Sequence, residues 1–344
     1  MKRISFITFL LACVLSASAG HPCVSLDKRG ADLMRTSLGR FETFDHSYAY
    51  ARSVADAALA RPIDVPWPKD AAGGYTHEQH KNNYYAMYYC GILYQVTGDE
   101  RYARYVSDML KEYAKLYPKL PIHPYVRSST PGKLFWQTLN ENVWLVHTAI
   151  AYDCVYDYMS KRDRDFVERD LFRRVADFVE NGTPERRKNY EVFNMMHNHA
   201  TWATCAVGLT GYVMGDTTLV AHALYGSQLD GRGGYLRQLN ELFSPDGYFT
   251  EGAYYLRYAI WPFMLFAQAI EMNQPELHIF SRRDGILFKA MNTLIQEAYD
   301  GQILMMNDAL VKTYATQEIV AAVDIAYWAG HDDHLLSIAA GQGN

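Results

Sequence analysis

Apolar residues recur every three or four positions through almost the whole chain, and this period decides the fold class. In residues 99–118 they are Tyr102, Tyr105, Val106, Met109, Leu110, Tyr113, Leu116 and Tyr117, a spacing that gathers them on one face of an α-helix. Similar stretches occupy residues 47–59, 77–96, 135–159, 162–179, 199–214, 253–272, 284–298 and 317–329. Strand-like alternation is nearly absent, so the sequence predicts an all-α protein. Helices of this length with short Gly, Pro or Asp connections predict antiparallel neighbours. A weak internal repeat agrees: Gly91-Ile-Leu-Tyr-Gln-Val96-Thr-Gly98-Asp99 matches Gly208-Leu-Thr-Gly-Tyr-Val213-Met-Gly215-Asp216. In each, a glycine closes one helix and an aspartate caps the next. Stacked helical hairpins follow, in an open solenoid or a closed toroid.

The N-terminus reads as an export signal. Met1-Lys2-Arg3 is a positive start, residues 4–15 are an apolar run too short to span a membrane, and Ala17-Ser18-Ala19 is a small-x-small cleavage site. Residues 1–19 are the expected signal peptide, and residues 20–344 one toroid domain without an internal linker. The alternative is a lipoprotein box at Leu10-Leu11-Ala12-Cys13, against which Cys13 comes early and Leu11 is bulky. A periplasmic or secreted protein is expected, with no membrane association after cleavage. A net charge of −5 gives no reason to expect a nucleic-acid or anionic-membrane partner. Cys23, Cys90, Cys154 and Cys205 are scattered without metal-ligand spacing and read as buried structural thiols. The informative excess is tyrosine, with 27 residues whose flat rings and hydroxyls suit sugar surfaces as well as helix packing.

Three stretches are dense in polar and aromatic residues. Residues 73–84 read Gly-Gly-Tyr-Thr-His-Glu-Gln-His-Lys-Asn-Asn-Tyr, with His77 and His80 three apart on one helix face. They do not complete a His-Glu-x-x-His zinc pattern, so ligand contact or structural capping is favoured over a metal site. In residues 133–144, Gln137, Asn140 and Glu141 share one side of a helix with Trp136 and Trp144 nearby. Amides beside indoles make a sugar subsite or a buried bridge between helices. The third is Asn194-Met-Met-His197-Asn198-His199-Ala-Thr-Trp202, followed at 246–258 by Asp-Gly-Tyr-Phe-Thr-Glu-Gly-Ala-Tyr-Tyr-Leu-Arg-Tyr. A His-Asn-His triplet and a tyrosine cluster, each at a helix start, fit an anionic ligand facing both. β-Elimination of a 4-linked uronate needs such groups. An amide and an imidazole stabilise the carboxylate as charge flows onto it, and a tyrosine moves protons at C5 and the leaving oxygen. Arg257 is close enough in sequence to contribute.

At these residues the chain resembles the oligoalginate lyases of polysaccharide lyase family seventeen. The likeness runs from about Leu26 to the end and includes residues 73–81, 134–145, 197–199 and 251–259. In the wider set of toroidal alginate and heparin lyases, an Asn-His pair is followed by Tyr-x-x-Tyr-Ala-(Leu/Ile). Tyr255-Leu-Arg-Tyr258-Ala-Ile fits this and selects Tyr255 over Tyr254. The resemblance implies an incomplete (α/α) toroid of antiparallel helical hairpins. It implies exolytic cleavage of alginate or oligoalginate, with Asn198 and His199 on the carboxylate and Tyr255 as acid and base. Tyr75, His77, His80, Gln137, Asn140, Asn142 and Arg257 are the expected substrate contacts. No cofactor and no metal are expected in this domain. The family's structural metal lies in a C-terminal β-sandwich, and this chain ends at 341–344, about where that domain would begin.

Two other readings stand beside this one. A glycoside hydrolase on an α/α toroid would need two opposed carboxylic acids, with Asp246, Glu251, Asp308 and Glu141 as candidates. A non-catalytic uronate-binding remnant would keep the cleft without turnover.

Overall fold

The computed structural model describes residues 20–125, 128–183, 188–307, 309–310, 316–336 and 338. The signal-peptide and lipoprotein readings, Asp308 and the 341–344 tail lie outside the described residues. The architecture is helical, as its periodicity predicts. Helices α1 (Lys28–Ser37) and α2 (Glu42–Leu59) lead into the hairpin of α3 (Tyr75–Thr97) and α4 (Glu100–Leu116). After α5 (Thr138–Val155) come α6 (Lys161–Val167) and α7 (Arg173–Asn181), joined by a π-helical turn. Then follow α8 (Lys188–Phe193), α9 (Asn198–Met214), α10 (Thr217–Tyr225), α11 (Gly234–Glu241), α12 (Ala253–Asn273), α13 (Arg282–Gln296) and α14 (Gln317–Gly330). A two-residue antiparallel ribbon pairs Ala298–Tyr299 with Gln302–Ile303.

Sequence composition sorts the helices into two layers. In α4 the buried residues include Tyr102, Val106, Met109, Leu110 and Tyr113 on one face, with charge on the other, so α4 lies outside. Helices α5, α9 and α12 are buried nearly all round, as inner helices must be. The inner series runs α3 on α5, α5 on α9, α9 on α12 and α12 on α14. This is the expected incomplete (α/α) toroid. Gly91 and Gly208, the matched first positions of the repeat, allow close approach of neighbouring helices. A Cβ on Gly91 would lie 3.1 Å from the Ala151 backbone, and one on Gly208 would enter the Phe266 ring. The repeat also ends as expected: Gly98 and Gly215 turn at φ 72° and 63°, and Asp99 and Asp216 cap α4 and α10.

The first described residues are tied down by a contact that sequence patterns do not show. Asp153, on α5, accepts the backbone N–H groups of Cys23 (2.7 Å) and Val24 (3.0 Å) on one oxygen and pairs with His21 Nδ1 (2.6 Å) on the other. Cys23, Cys90, Cys154 and Cys205 are buried free thiols. Among the described residues no helix is long and apolar enough to cross a membrane.

Candidate active site

The starts of α9 and α12 are joined by one carboxylate. His197 caps α9 in extended conformation, and its Nδ1 accepts the His199 N–H at 3.2 Å. Asn198, the first residue of α9, donates its backbone N–H to Glu251 Oε1 at 2.9 Å and its side-chain Nδ2–H to Glu251 Oε2. Glu251 is followed by Gly252 at φ 85°, which begins α12, and Tyr255 is the third residue of that helix. One turn further in, the Trp202 ring of α9 lies against Tyr258 of α12, with centroids 4.9 Å apart. The helix start that carries the His-Asn-His triplet is therefore linked to the start of the tyrosine-bearing helix through Glu251 and, one turn on, through Trp202 and Tyr258.

Burial sets the charge state here. The His199 ring packs edge-on against His197 at 4.7 Å, and desolvation, with His197 adding, lowers its pKa to about 4. At neutral pH His199 is an uncharged imidazole that can donate one hydrogen bond and accept another. The Tyr254 and Tyr255 rings stand perpendicular at 5.2 Å. The Arg257 guanidinium lies 4.5 Å over the Tyr254 ring, and its Nε is buried without a partner among the described residues. Burial pushes the Tyr258 phenol up, and Arg257 opposes that shift.

The sequence model of the alginate lyase family matches residues 42–304, more than half of the chain. This chain belongs to the alginate lyase family. It is 48% identical over 304 residues to an alginate lyase of Stenotrophomonas maltophilia (strain K279a), covering 88% of this chain and 40% of that one. It is 44% identical to an exo-oligoalginate lyase of Saccharophagus degradans, covering 98% of this chain and 46% of that one. The chain thus spans less than half the length of these two curated relatives. In fold it is similar to an alginate lyase from Bacteroides ovatus (TM-score 0.64, 12% identity, 93% of this chain and 95% of that one). It is likewise similar in fold to a variant of alginate lyase A1-III complexed with tetrasaccharide (TM-score 0.54, 17% identity, 82% and 79%).

In this alginate lyase family member, the other expected contacts are spread over the starts of α3 and α5. Tyr75 is exposed and donates its hydroxyl to Asp64. It lines a groove of about 760 Å³ that runs between α2 and α3 and reaches Gln317, the first residue of α14. His77 is buried edge-on against Phe135 at 5.1 Å, with Nδ1 unpaired among the described residues and its pKa lowered by desolvation. His80 is enclosed, and its Nε2 has no partner among the described residues. It is 0% exposed, its Nδ1 pairs with the Tyr113 hydroxyl at 2.8 Å, and burial lowers its pKa to about 3. It braces α3 against α4. Gln137 and Asn140 are half-buried at the start of α5, while Asn142 is enclosed with Oδ1 unpartnered among the described residues. None of these side chains hydrogen-bonds to Asn198, His199 or Tyr255.

The three described acids proposed for a hydrolase are otherwise engaged. Glu141 is fully buried and holds Tyr117 Oη and the Lys133 N–H, Glu251 holds Asn198, and exposed Asp246 accepts the Ser244 hydroxyl. Motif reading missed the aromatic belt that continues inward from Trp202. Trp261 lies 5.6 Å from Trp202 and 5.1 Å from His147, which touches Tyr84 and Tyr85 at 4.7 and 5.2 Å. The only sequence signal was a histidine in the middle of an apolar helix.

Proposed function

We propose that this chain carries the site of a polysaccharide lyase that cleaves alginate or oligoalginate by β-elimination. The carrying observation is the joined start of α9 and α12: Glu251, which precedes the helix carrying Tyr254 and Tyr255, holds Asn198, and the next residue, His199, has its pKa lowered to about 4 by desolvation. The uronate carboxylate would sit on Asn198 and His199, so that charge arriving from C5 meets fixed donors. Tyr255 as phenolate takes the C5 proton, the electron pair forms the C4=C5 double bond, and the C4–O4 bond breaks. The phenol then returns the proton to O4, so acid and base are one group. Arg257 supplies a positive charge near the phenols.

The tetrasaccharide bound to the structurally similar A1-III variant supports an oligosaccharide ligand, and the exo-oligoalginate lyase relative supports exolytic release of an unsaturated monouronate. Export to the periplasm or medium belongs to the same reading, since alginate is met outside the cytoplasm.

The test is ultraviolet absorbance of the conjugated C4=C5 product with polymannuronate, polyguluronate, hyaluronan and heparan as substrates. Absorbance on an alginate block is the expected result. New reducing ends without absorbance would replace the lyase with a hydrolase, and affinity without turnover would leave a uronate-binding protein.

A further inference from the structure

We propose that Glu251 is a positioning residue that fixes which end of the Asn198 amide faces the substrate carboxylate. This rests on the reading of Asn198 as a carboxylate partner. The two oxygens of Glu251 are both committed to Asn198, Oε1 to its backbone N–H at 2.9 Å and Oε2 to its Nδ2. An ionised carboxylate can only accept hydrogen bonds. The amide nitrogen must therefore face Glu251, because a flipped amide would set its carbonyl oxygen against an anion. The Nδ2 group has two hydrogens. One is bound by Glu251, and that bond fixes the direction of the other, which is the donor assigned to a uronate entering at the buried Asn198. An amide oxygen in its place would repel the uronate and offer nothing to the developing charge.

Glu251 is itself held firmly. Its partner N–H belongs to the first turn of α9, where the helix dipole favours an anion. His197 Nε2 stands 4.0 Å from Oε1. Gly252 at φ 85° turns the chain into α12, and a Cβ there would lie 3.0 Å from the Met306 carbonyl oxygen. Glu251 thus connects the amide to the helix that carries Tyr255 without itself acting on the sugar.

Glu251→Gln tests this, because it keeps size and removes the acceptor-only character. The glutamine NH₂ can donate to Asn198 Oδ1 and so permits the flip. The first readout is independent of catalysis: the Asn198 side-chain amide signal in NMR, assigned by its loss in Asn198→Ala. In the unmodified chain one amide proton should be shifted downfield by its bond to the carboxylate. That shift should vanish in Glu251→Gln while thermal unfolding shows an intact fold, and its persistence overturns the proposal. The second readout is kinetic on oligomannuronate. Here kcat should fall about 10- to 100-fold, the range for partners that orient a functional ligand, with KM within about threefold. Unchanged kcat overturns the proposal as well. If the unmodified chain yields no unsaturated uronate, the elimination reading fails, and the NMR signal still decides the role of Glu251. Should Glu251→Gln not fold, Glu251→Asp replaces it: one methylene shorter, it should lose the downfield shift, and retaining it overturns the proposal.

Discussion

The Tyr117 hydroxyl donates a 2.6 Å hydrogen bond to Glu141, whose second oxygen accepts the Lys133 N–H at 2.6 Å. A buried carboxylate at the start of α5 thereby ties that helix to the end of α4 and to the loop before it. Burial raises the Glu141 pKa, and both hydrogen bonds oppose the rise. Tyr117→Phe would leave one oxygen of this carboxylate buried and unpaired. The expected loss is about 2–3 kcal/mol of stability, measured by urea denaturation. A loss under about 0.5 kcal/mol would show that the loop relaxes to supply another donor.

The Asp153 clamp makes a second stability prediction. Its carboxylate satisfies two backbone donors and His21, and Asn273 adds a bond to the Cys23 carbonyl at 2.7 Å. Asp153→Ala strands these buried N–H groups and should cost about 3 kcal/mol. The segment before α1 should then become sensitive to limited proteolysis. Equal protease resistance in the variant would mean that packing alone holds the segment.

Desolvated histidines, His147 and His199 among them, predict how stability depends on pH. Burial lowers His147 to about 4 and His199 to about 4, from 6.5. A depressed histidine binds its proton more readily in the unfolded chain, so protonation favours unfolding. Stability from these groups is complete above pH 6.5 and is lost as pH falls toward 4. Urea midpoints should therefore drop between pH 7 and pH 5. His147→Phe removes one titrating group while filling the same aromatic space among Tyr84, Tyr85 and Trp261. Its midpoint should fall less steeply over that interval, and a slope equal to that of the unmodified chain would contradict this assignment.

Sequence patterns reveal faces and starts of helices better than their partners. The 3.6-residue period of 99–118 correctly gave the buried side of α4, and the Gly-Asp pairs gave its hairpin and that of α9 and α10. The helix starts at the His-Asn-His triplet and before Tyr255 were legible because a helix start concentrates polar groups in consecutive residues. Glu251 was read as a hydrolase acid. Its partner lies 53 positions away, and no local pattern reports a bond across that distance. His80 was illegible in the same way: its Nδ1 pairs with Tyr113, 33 residues on, and no local pattern reports that bond.

The catalytic assignment is tested by tyrosines that differ only in position. Tyr255→Phe keeps the ring that packs against the core and deletes the hydroxyl. Turnover should fall roughly 10²–10⁴-fold with substrate binding nearly intact, the scale of a general acid–base group. Tyr254→Phe is the internal control. Its ring supports the Arg257 guanidinium at 4.5 Å through the π face, which phenylalanine retains, so the charge beside the site stays where it was. The effect should be under about threefold. Asn198→Ala removes a donor that strengthens as charge develops, so it should lower kcat more than it raises KM. Steady-state kinetics on oligoalginate of defined length separates these outcomes. A larger loss in Tyr254→Phe than in Tyr255→Phe would move the proton carrier to the neighbouring ring, and the role of Arg257 with it.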